Sequence, residues 1–362
     1  MNSSSKISVL QMGMLLIMTV GLANHVTLIP LLLQTAKRDS WIAVIGAFAL
    51  MVAWTWVPFV IIRKTGQTNL IEWLGSHIGP WFASIVKWTA ALYLFSLAVI
   101  SLRETTTWTK VTYLPQTPLI VIAACFMLLC WYTTNRGVQS IAISAGILLP
   151  FVVALGYFVM GANFQYKRYI LLFPLFTNDM VSIVRCMIYA GGGMIELIMI
   201  LFMQHLLKGS VKWRHLLFLI TVMAGLTLGP LMGSIAAFGP EQAAVLRYPA
   251  YEQWRLVTIG DYVAHVDFFS IYQWLSGSFI RISLSVFLTV EVLQIQSKQK
   301  RVITTNLLCL LLFIAGLLPV TDMTYIAYIH KYYSFTFFIV LFGSLLLAGL
   351  AVFKNKKTGR RL

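Results

Sequence analysis

Apolar runs dominate the chain, separated by short polar and charged clusters. About 20 consecutive apolar residues make a helix that crosses the hydrocarbon core of a bilayer. On that measure ten spans are expected, near 7–34, 39–62, 81–103, 118–135, 141–161, 181–206, 215–238, 267–293, 302–318 and 335–353. The connections are short except for two, about 162–180 and 239–266. The fold class is therefore an all-α integral membrane domain whose ten helices leave both termini on one side.

The positive-inside rule chooses that side. The N-terminus and the even-numbered connections hold Lys6, Arg63, Lys64, Arg136, Lys208, Lys212, Arg214, Lys298, Lys300 and Arg301. The tail 354–362 adds Lys354, Lys356, Lys357, Arg360 and Arg361, and the opposite side holds fewer basic residues. Both termini are expected in the cytoplasm. The segment 239–266, with Glu241, Glu252 and Asp261 and with Asp267 directly after it, is then external, and its composition suggests short surface helices around Pro249.

Composition agrees. Of the 362 residues 59% are apolar and only 10% are charged, against about 45–50% and about 25% in soluble proteins. A soluble enzyme could not cover its surface with so few charges, and a disordered chain would be polar. The net charge of +16 reads as a topology signal and a lipid-facing tail, not as a nucleic-acid partner. The first apolar run continues well past the roughly 7–15 residues of a signal-peptide core, so a cleaved leader is not expected. Cys125, Cys130, Cys186 and Cys309 lie inside apolar runs. They read as small buried apolar residues, and with no C-x-x-C pair or Cys/His cluster neither a metal nor a cofactor is expected.

Two spans do not run cleanly. Span one reads Gly21-Leu22-Ala23-Asn24-His25-Val26-Thr27-Leu28-Ile29-Pro30. Gly, Asn, His and Thr at mid-membrane depth are costly unless they face protein or water. Span six reads Ala190-Gly191-Gly192-Gly193-Met194-Ile195-Glu196, and each glycine weakens a helix by about 1 kcal/mol relative to Ala. Gly21 and Gly191 fall at matching places if the spans divide five plus five, as 1–161 and 181–353. Five-span halves enter the membrane in opposite senses, and paired interrupted helices in such halves point to a transporter binding site. An unwound segment frees backbone donors for a carboxylate and carbonyls for an ammonium, so a small zwitterion suits both. The alternative is that the glycines permit close helix packing.

Lys6-Ile7-Ser8-Val9-Leu10-Gln11, then Gly21 and Pro30, resembles the opening of the endospore germination B-subunit family. Leu172-Phe173-Pro174-Leu175, Glu196, and Arg247-Tyr248-Pro249 with Glu252 and Arg255 agree with it, and the likeness runs essentially end to end. That family belongs to the amino acid/polyamine/organocation transporter superfamily. The resemblance implies its ten-helix, 5+5 inverted-repeat (LeuT-like) fold with helices one and six interrupted. It also implies the membrane subunit of a germinant receptor in the spore inner membrane. The partners would be an A subunit and a lipoprotein C subunit, and the ligand an amino acid, sugar or similar nutrient. Where the family has small residues across the first break, this chain has Ala23-Asn24-His25.

The expected ligand-binding set is Gly21, Ala23, Asn24, His25, Tyr93, Leu97, Gly191, Gly192, Gly193 and Glu196. Glu196 is either a cap complementing its helix dipole or a partner for an ammonium or proton. His25 either meets ligand or packs as a neutral imidazole. Tyr93, Ser96 and Leu97 share one face of span three. Arg281 lies about 18–21 Å from either end of span eight, too deep to snorkel. It should meet a carboxylate, Glu196 or Glu291, or carbonyls. Related sodium-coupled transporters hold a cation between spans one and eight, and Arg281 could replace that ion. Ser283 and Glu291 complete this charge site.

A receptor subunit that binds a nutrient leads the functional readings. A proton-coupled amino acid permease is the alternative with the same pocket. A channel lacks a repeated filter or charged ring. An intramembrane hydrolase needs a Ser–base pair, paired Asp or a metal triad, and the six histidines are scattered. No enzyme activity is expected.

Overall fold

Ser8 sets the start of the first span. Its hydroxyl accepts from the Gln11 amide at 3.1 Å while the Gln11 side chain accepts the Ser8 amide at 2.8 Å. This reciprocal cap satisfies donors that a helix start leaves open. Helix α1 (Val9–Leu22) then passes through a π-helical turn, Ala23–Thr27, and resumes as α2 (Leu28–Ala36). The computed structural model describes residues 6–258 and 266–358. Asp261 and the basic tail side chains beyond Lys354 lie outside what is described.

The chain reverses at Lys37–Asp39, where Lys37 takes φ 40°, and α3 (Ser40–Trp54) with α4 (Trp56–Lys64) forms span two. Val9–Lys64 is one helical stretch of 56 residues by length and composition, about 84 Å at 1.5 Å per residue. That far exceeds the roughly 30 Å hydrocarbon core, and the reversal makes it two crossings. Counted so, the nine candidate membrane helices of the described residues give the expected ten crossings.

The next helix, α5 (Leu70–His77), was not expected. Asn69 caps it by accepting from the Ile71 and Glu72 amides, and Leu70, Ile71, Trp73 and Leu74 are buried. Span three is α6 (Pro80–Thr112), which continues well beyond the expected end at 103. Spans four and five are α7 (Leu119–Arg136) and α8 (Val138–Ala162). Span six is α9 (Met180–Met194), a 3-10 segment Ile195–Met199, and α10 (Ile200–Met203). Span seven is α11 (Trp213–Phe238), followed by the short helices α12 (Pro240–Val245) and α13 (Pro249–Arg255). Spans eight, nine and ten are α14 (Phe269–Val292), α15 (Lys298–Gly316) and α16 (Asp322–Thr358), the last starting well before the expected 335.

Both interruptions are changes of helical pitch, not unwound gaps. In span one the π-turn begins two residues after Gly21. In span six Gly191–Gly193 remain α-helical and the 3-10 segment follows them. Backbone donors and carbonyls therefore stay largely engaged, and the zwitterion cradle expected from free helix ends is not formed that way.

Spans six and eight form the centre of the bundle. Their apolar windows are 89% buried, against 17% for α8 and α16. Small residues set this difference. A Cβ on Gly191 would lie 2.6 Å from the Phe337 ring, one on Gly192 2.6 Å from the Tyr333 carbonyl, and one on Gly277 3.0 Å from Leu22. Contacts between spans repeat when span numbers are shifted by five. Span one packs on five as six packs on ten, and span one packs on seven as six packs on two. At one end, β1 (Ile7–Ser8) pairs in parallel with β2 (Leu207–Lys208), tying the chain's start to the end of span six. Cys130, Cys186 and Cys309 are buried, but Cys125 is on the outer face of α7, exposed among apolar neighbours.

Candidate functional site

A π-turn places an extra residue in one helical turn, so the side chains around it lose the regular stacking of their neighbours. Here Ala23, Val26 and Thr27 of that turn border a small cavity. Span three supplies Ile100, Ser101, Glu104 and Thr105, span eight Trp274, Ser278 and Arg281, and span ten Tyr333. The cavity holds ≈ 10 Å³, room for about one water. Trp274 stacks on Trp108 with ring centroids 4.0 Å apart, and its indole donates to Thr105 at 3.3 Å. Thr105 and Ser278 share a hydroxyl–hydroxyl bond of 2.5 Å.

One wall is an ion pair. Arg281 donates from Nη1 to Glu196 Oε2 at 2.6 Å and from Nη2 to Oε1 at 2.9 Å. Nη1 also donates to the Thr19 carbonyl, and Nε to Ser101 Oγ, both at 2.8 Å. A guanidinium has five N–H donors in a planar fork, and this one joins spans one, three, six and eight. Both side chains are at most 3% exposed.

A second ion pair also borders the cavity through Glu104. Arg247 Nη2, from the turn between α12 and α13, donates to Glu104 Oε1 at 2.9 Å. Its guanidinium lies over the Tyr248 ring at 4.7 Å and the Tyr325 ring at 6.0 Å. Burial works against the Arg247 charge, and the Glu104 carboxylate and Tyr248 outweigh it, holding the guanidinium above its ordinary range. Burial pushes the Tyr248 phenol up, and the Glu104 carboxylate adds to that. Glu104 Oε2 and Arg247 Nε are buried without a hydrogen-bond partner. Beyond this pair lies a second cavity of ≈ 20 Å³, lined by Thr27, Pro30, Leu31, Gln34, Glu104, Arg247, Tyr325, Ile326 and Ile329. Gln34 is exposed and Arg247 partly so, which puts surface residues in this cavity's lining. Thr27 and Glu104 border both cavities.

The expected residues divide. Ala23 and Arg281 line the inner cavity. Glu196 is adjacent but engaged by Arg281, which makes it an ion-pair partner before a ligand group. Gly21 faces Leu226 of α11, where an added Cβ would lie 2.7 Å away. His25 points the same way, its Nδ1 3.3 Å from the Leu226 carbonyl, and does not border the cavity. Asn24 is buried against Gly193, with no hydrogen bond to its amide group. Gly191 and Gly192 are filled from the other side by Phe337 and Tyr333, so these three glycines serve close packing. Leu97 is core, and Tyr93 packs against that core outside the cavity lining, its buried hydroxyl without a partner. Ser283 is buried on α14 with an unpartnered hydroxyl. Glu291 sits at the far end of span eight between His205 at 3.0 Å and Arg301 at 2.6 Å.

Glu104, Ser101, Thr105, Trp274 and Tyr333 were not among the expected ligand residues. The signal for three of them was present. Tyr93 and Leu97 share a face, and four-residue steps from Leu97 reach Ser101 and Thr105, with Glu104 beside them.

Three comparisons bear on this geometry. The family described as spore germination protein matches residues 6–354. Spore germination protein XB of Bacillus anthracis is 40% identical over 349 residues, 96% of this chain and 98% of that protein. A candidate spore germination protein of Bacillus subtilis (strain 168), YfkT, is 24% identical over 295 residues, 80% of this chain and 79% of that protein. Among solved structures, MhsT in complex with L-phenylalanine superposes with a TM-score of 0.59 over 95% of this chain and 91% of that one, at 13% identity. That likeness concerns the fold, and it agrees with the ten-helix inverted repeat.

Proposed function

The chain belongs to the spore germination protein family, and from that premise we propose that it is the membrane subunit of a germinant receptor that binds a small nutrient and triggers germination. It is a multi-pass, permease-like membrane protein of the LeuT-like fold. In our reading it sits in the spore inner membrane with both termini in the cytoplasm. It works with an A subunit and a lipoprotein C subunit, and its nutrient is an amino acid or similar molecule.

The observation that carries this reading is the inner cavity. A buried carboxylate and a buried guanidinium border one cavity at the point where span one changes pitch. At ≈ 10 Å³ the cavity takes about one water as it stands, so a polar ligand enters only when its walls part. The hydroxyls of Ser101, Thr105 and Ser278 can orient it, and Trp274 and Tyr333 offer apolar faces. Ligand binding then favours one arrangement of the spans over another, which is how a transporter fold can report a nutrient.

A thermal-shift screen of nutrients on the purified protein tests this. A ligand at about 100 times its Kd stabilises by about 2.7 kcal/mol. Ala23→Leu overfills the inner cavity, is expected to cost about 1–3 kcal/mol of stability, and should show no shift relative to its own unliganded melting temperature. A ligand shift that survives Ala23→Leu refutes the site. A proton-coupled permease is the second reading, favoured by Glu104, an acidic group within the cavity. Uptake of labelled amino acid into proteoliposomes separates it from sensing alone.

A further inference from the structure

We propose that the Glu104–Arg247 pair is itself the recognition site for a small zwitterion, which enters by taking over both halves of the pair. The inference rests on the nutrient-binding reading above and adds the ligand's charge class and the residues that select it.

Neither cavity can hold a nutrient as it stands. They measure ≈ 10 and ≈ 20 Å³, about one water each. Glu104 is in the wall of both, and Arg247 lines the outer one. Separating Arg247 from Glu104 opens the wall they share. Separation by itself leaves Glu104, 4% exposed, as an unpaired buried carboxylate, which is strongly unfavourable. A zwitterion removes that obstacle. Its ammonium donates to Glu104, whose Oε2 already lacks a partner, and its carboxylate accepts from Arg247, whose Nε also lacks one. Two charges part and two replace them, so the buried charge stays balanced throughout.

The other ion pair cannot do this. Arg281 makes four hydrogen bonds to three spans, and the Glu196 carboxylate is engaged through both oxygens. Arg247, by contrast, is held to the bundle by one hydrogen bond and the Tyr325 face, is 29% exposed, and sits on the turn between two short helices. Entry of the ligand therefore parts the Arg247 turn from Glu104, while Tyr251 on Trp108 and Gln253 on Pro230 and Ser234 keep the following helix docked.

The two half-charged analogues of an amino acid differ in consequence. Its amide keeps the ammonium and strands only Arg247, which reaches water. Its des-amino acid keeps the carboxylate and strands Glu104, which does not. The order of affinity is zwitterion, then amide, then des-amino acid.

The test is binding to the purified full-length chain in nanodiscs. The probes are the twenty common L-amino acids, the amide and des-amino acid of each binder, and glucose as an uncharged probe. At least one amino acid is expected to bind. Its amide should be weaker by about fivefold, since the Arg247 it strands reaches water, and its des-amino acid, which strands buried Glu104, weaker by about 30-fold or more. Glu104→Gln should lose about 30-fold or more for the amino acid. The double variant Glu104→Gln with Arg247→Gln leaves no charge unpaired, should melt like wild type, and should also lose the amino acid. An amide and a des-amino acid both within about threefold of the parent, or a double variant with undiminished affinity, overturns the inference and leaves the nutrient site standing. Binding of glucose alone does the same. Binding of no probe overturns both.

Discussion

Two Glu–Arg pairs meet at the inner cavity, with similar closest distances, 2.6 Å for Glu196–Arg281 and 2.9 Å for Glu104–Arg247. The first is bidentate and its arginine is further bonded to the Thr19 carbonyl and Ser101. The second has one hydrogen bond and leaves a carboxylate oxygen and a guanidinium nitrogen without partners. A buried charge pair is stabilising only as far as its remaining donors and acceptors are satisfied. The first therefore holds four spans together, while the second can come apart when something else meets its needs. Distance alone would have ranked them nearly equal.

The comparison can be broken at several points. Glu196→Leu strands Arg281 in the bundle and should cost about 3–5 kcal/mol, read as lost melting temperature or lost folded yield. Adding Arg281→Met should restore most of it, since the paired removal leaves no lone charge. A single variant as stable as the parent would remove the inner pair from its structural role. Gly192→Val comes next. It drives a side chain against the Tyr333 carbonyl and should cost about 1–3 kcal/mol by overpacking, with no charge involved. Glu104→Gln should destabilise by only about 1 kcal/mol, because Arg247 reaches water. A loss as large as that of Glu196→Leu would erase the distinction between the pairs. His25→Gln should stay within about 1 kcal/mol and leave ligand response intact, its ring hydrogen-bonding to the Leu226 carbonyl away from the cavity. Last, exchanging sodium for potassium should leave ligand affinity unchanged, because Arg281 provides a fixed cation bonded to span one and carried on span eight. A sodium-dependent affinity would argue for a separate ion site.

The spans were readable because hydrocarbon thickness sets a length that the chain must meet with apolar residues. The two irregular helices were readable because glycine and polar residues at depth require a reason. The glycines themselves were read too chemically, since each is filled by a neighbouring span, and only the packing shows that. Much of the missed part of the site has one cause. Glu104 and Thr105 on α6, and Tyr325 and Tyr333 on α16, lie in helical extensions whose polar residues ended the spans at 103 and began the last at 335. Hydropathy treats polarity as a boundary, yet here the polar residues turn inward and line the cavities. Arg281 and Glu196 stood out because their apolar surroundings were continuous on both sides.

The small parallel pairing of Ile7–Ser8 with Leu207–Lys208 has a consequence for the order of assembly. About 200 residues separate the two strands, and a chain is made N-terminus first at roughly 5–20 residues per second. The opening segment must therefore wait, for some ten to forty seconds by that rate, before its partner is synthesised. Span one can enter the bilayer early, but its leading edge has no backbone partner in β2 until the second half of the molecule arrives. Neither half completes alone, and a ribosome stalled between them would leave that edge open to the wrong neighbour.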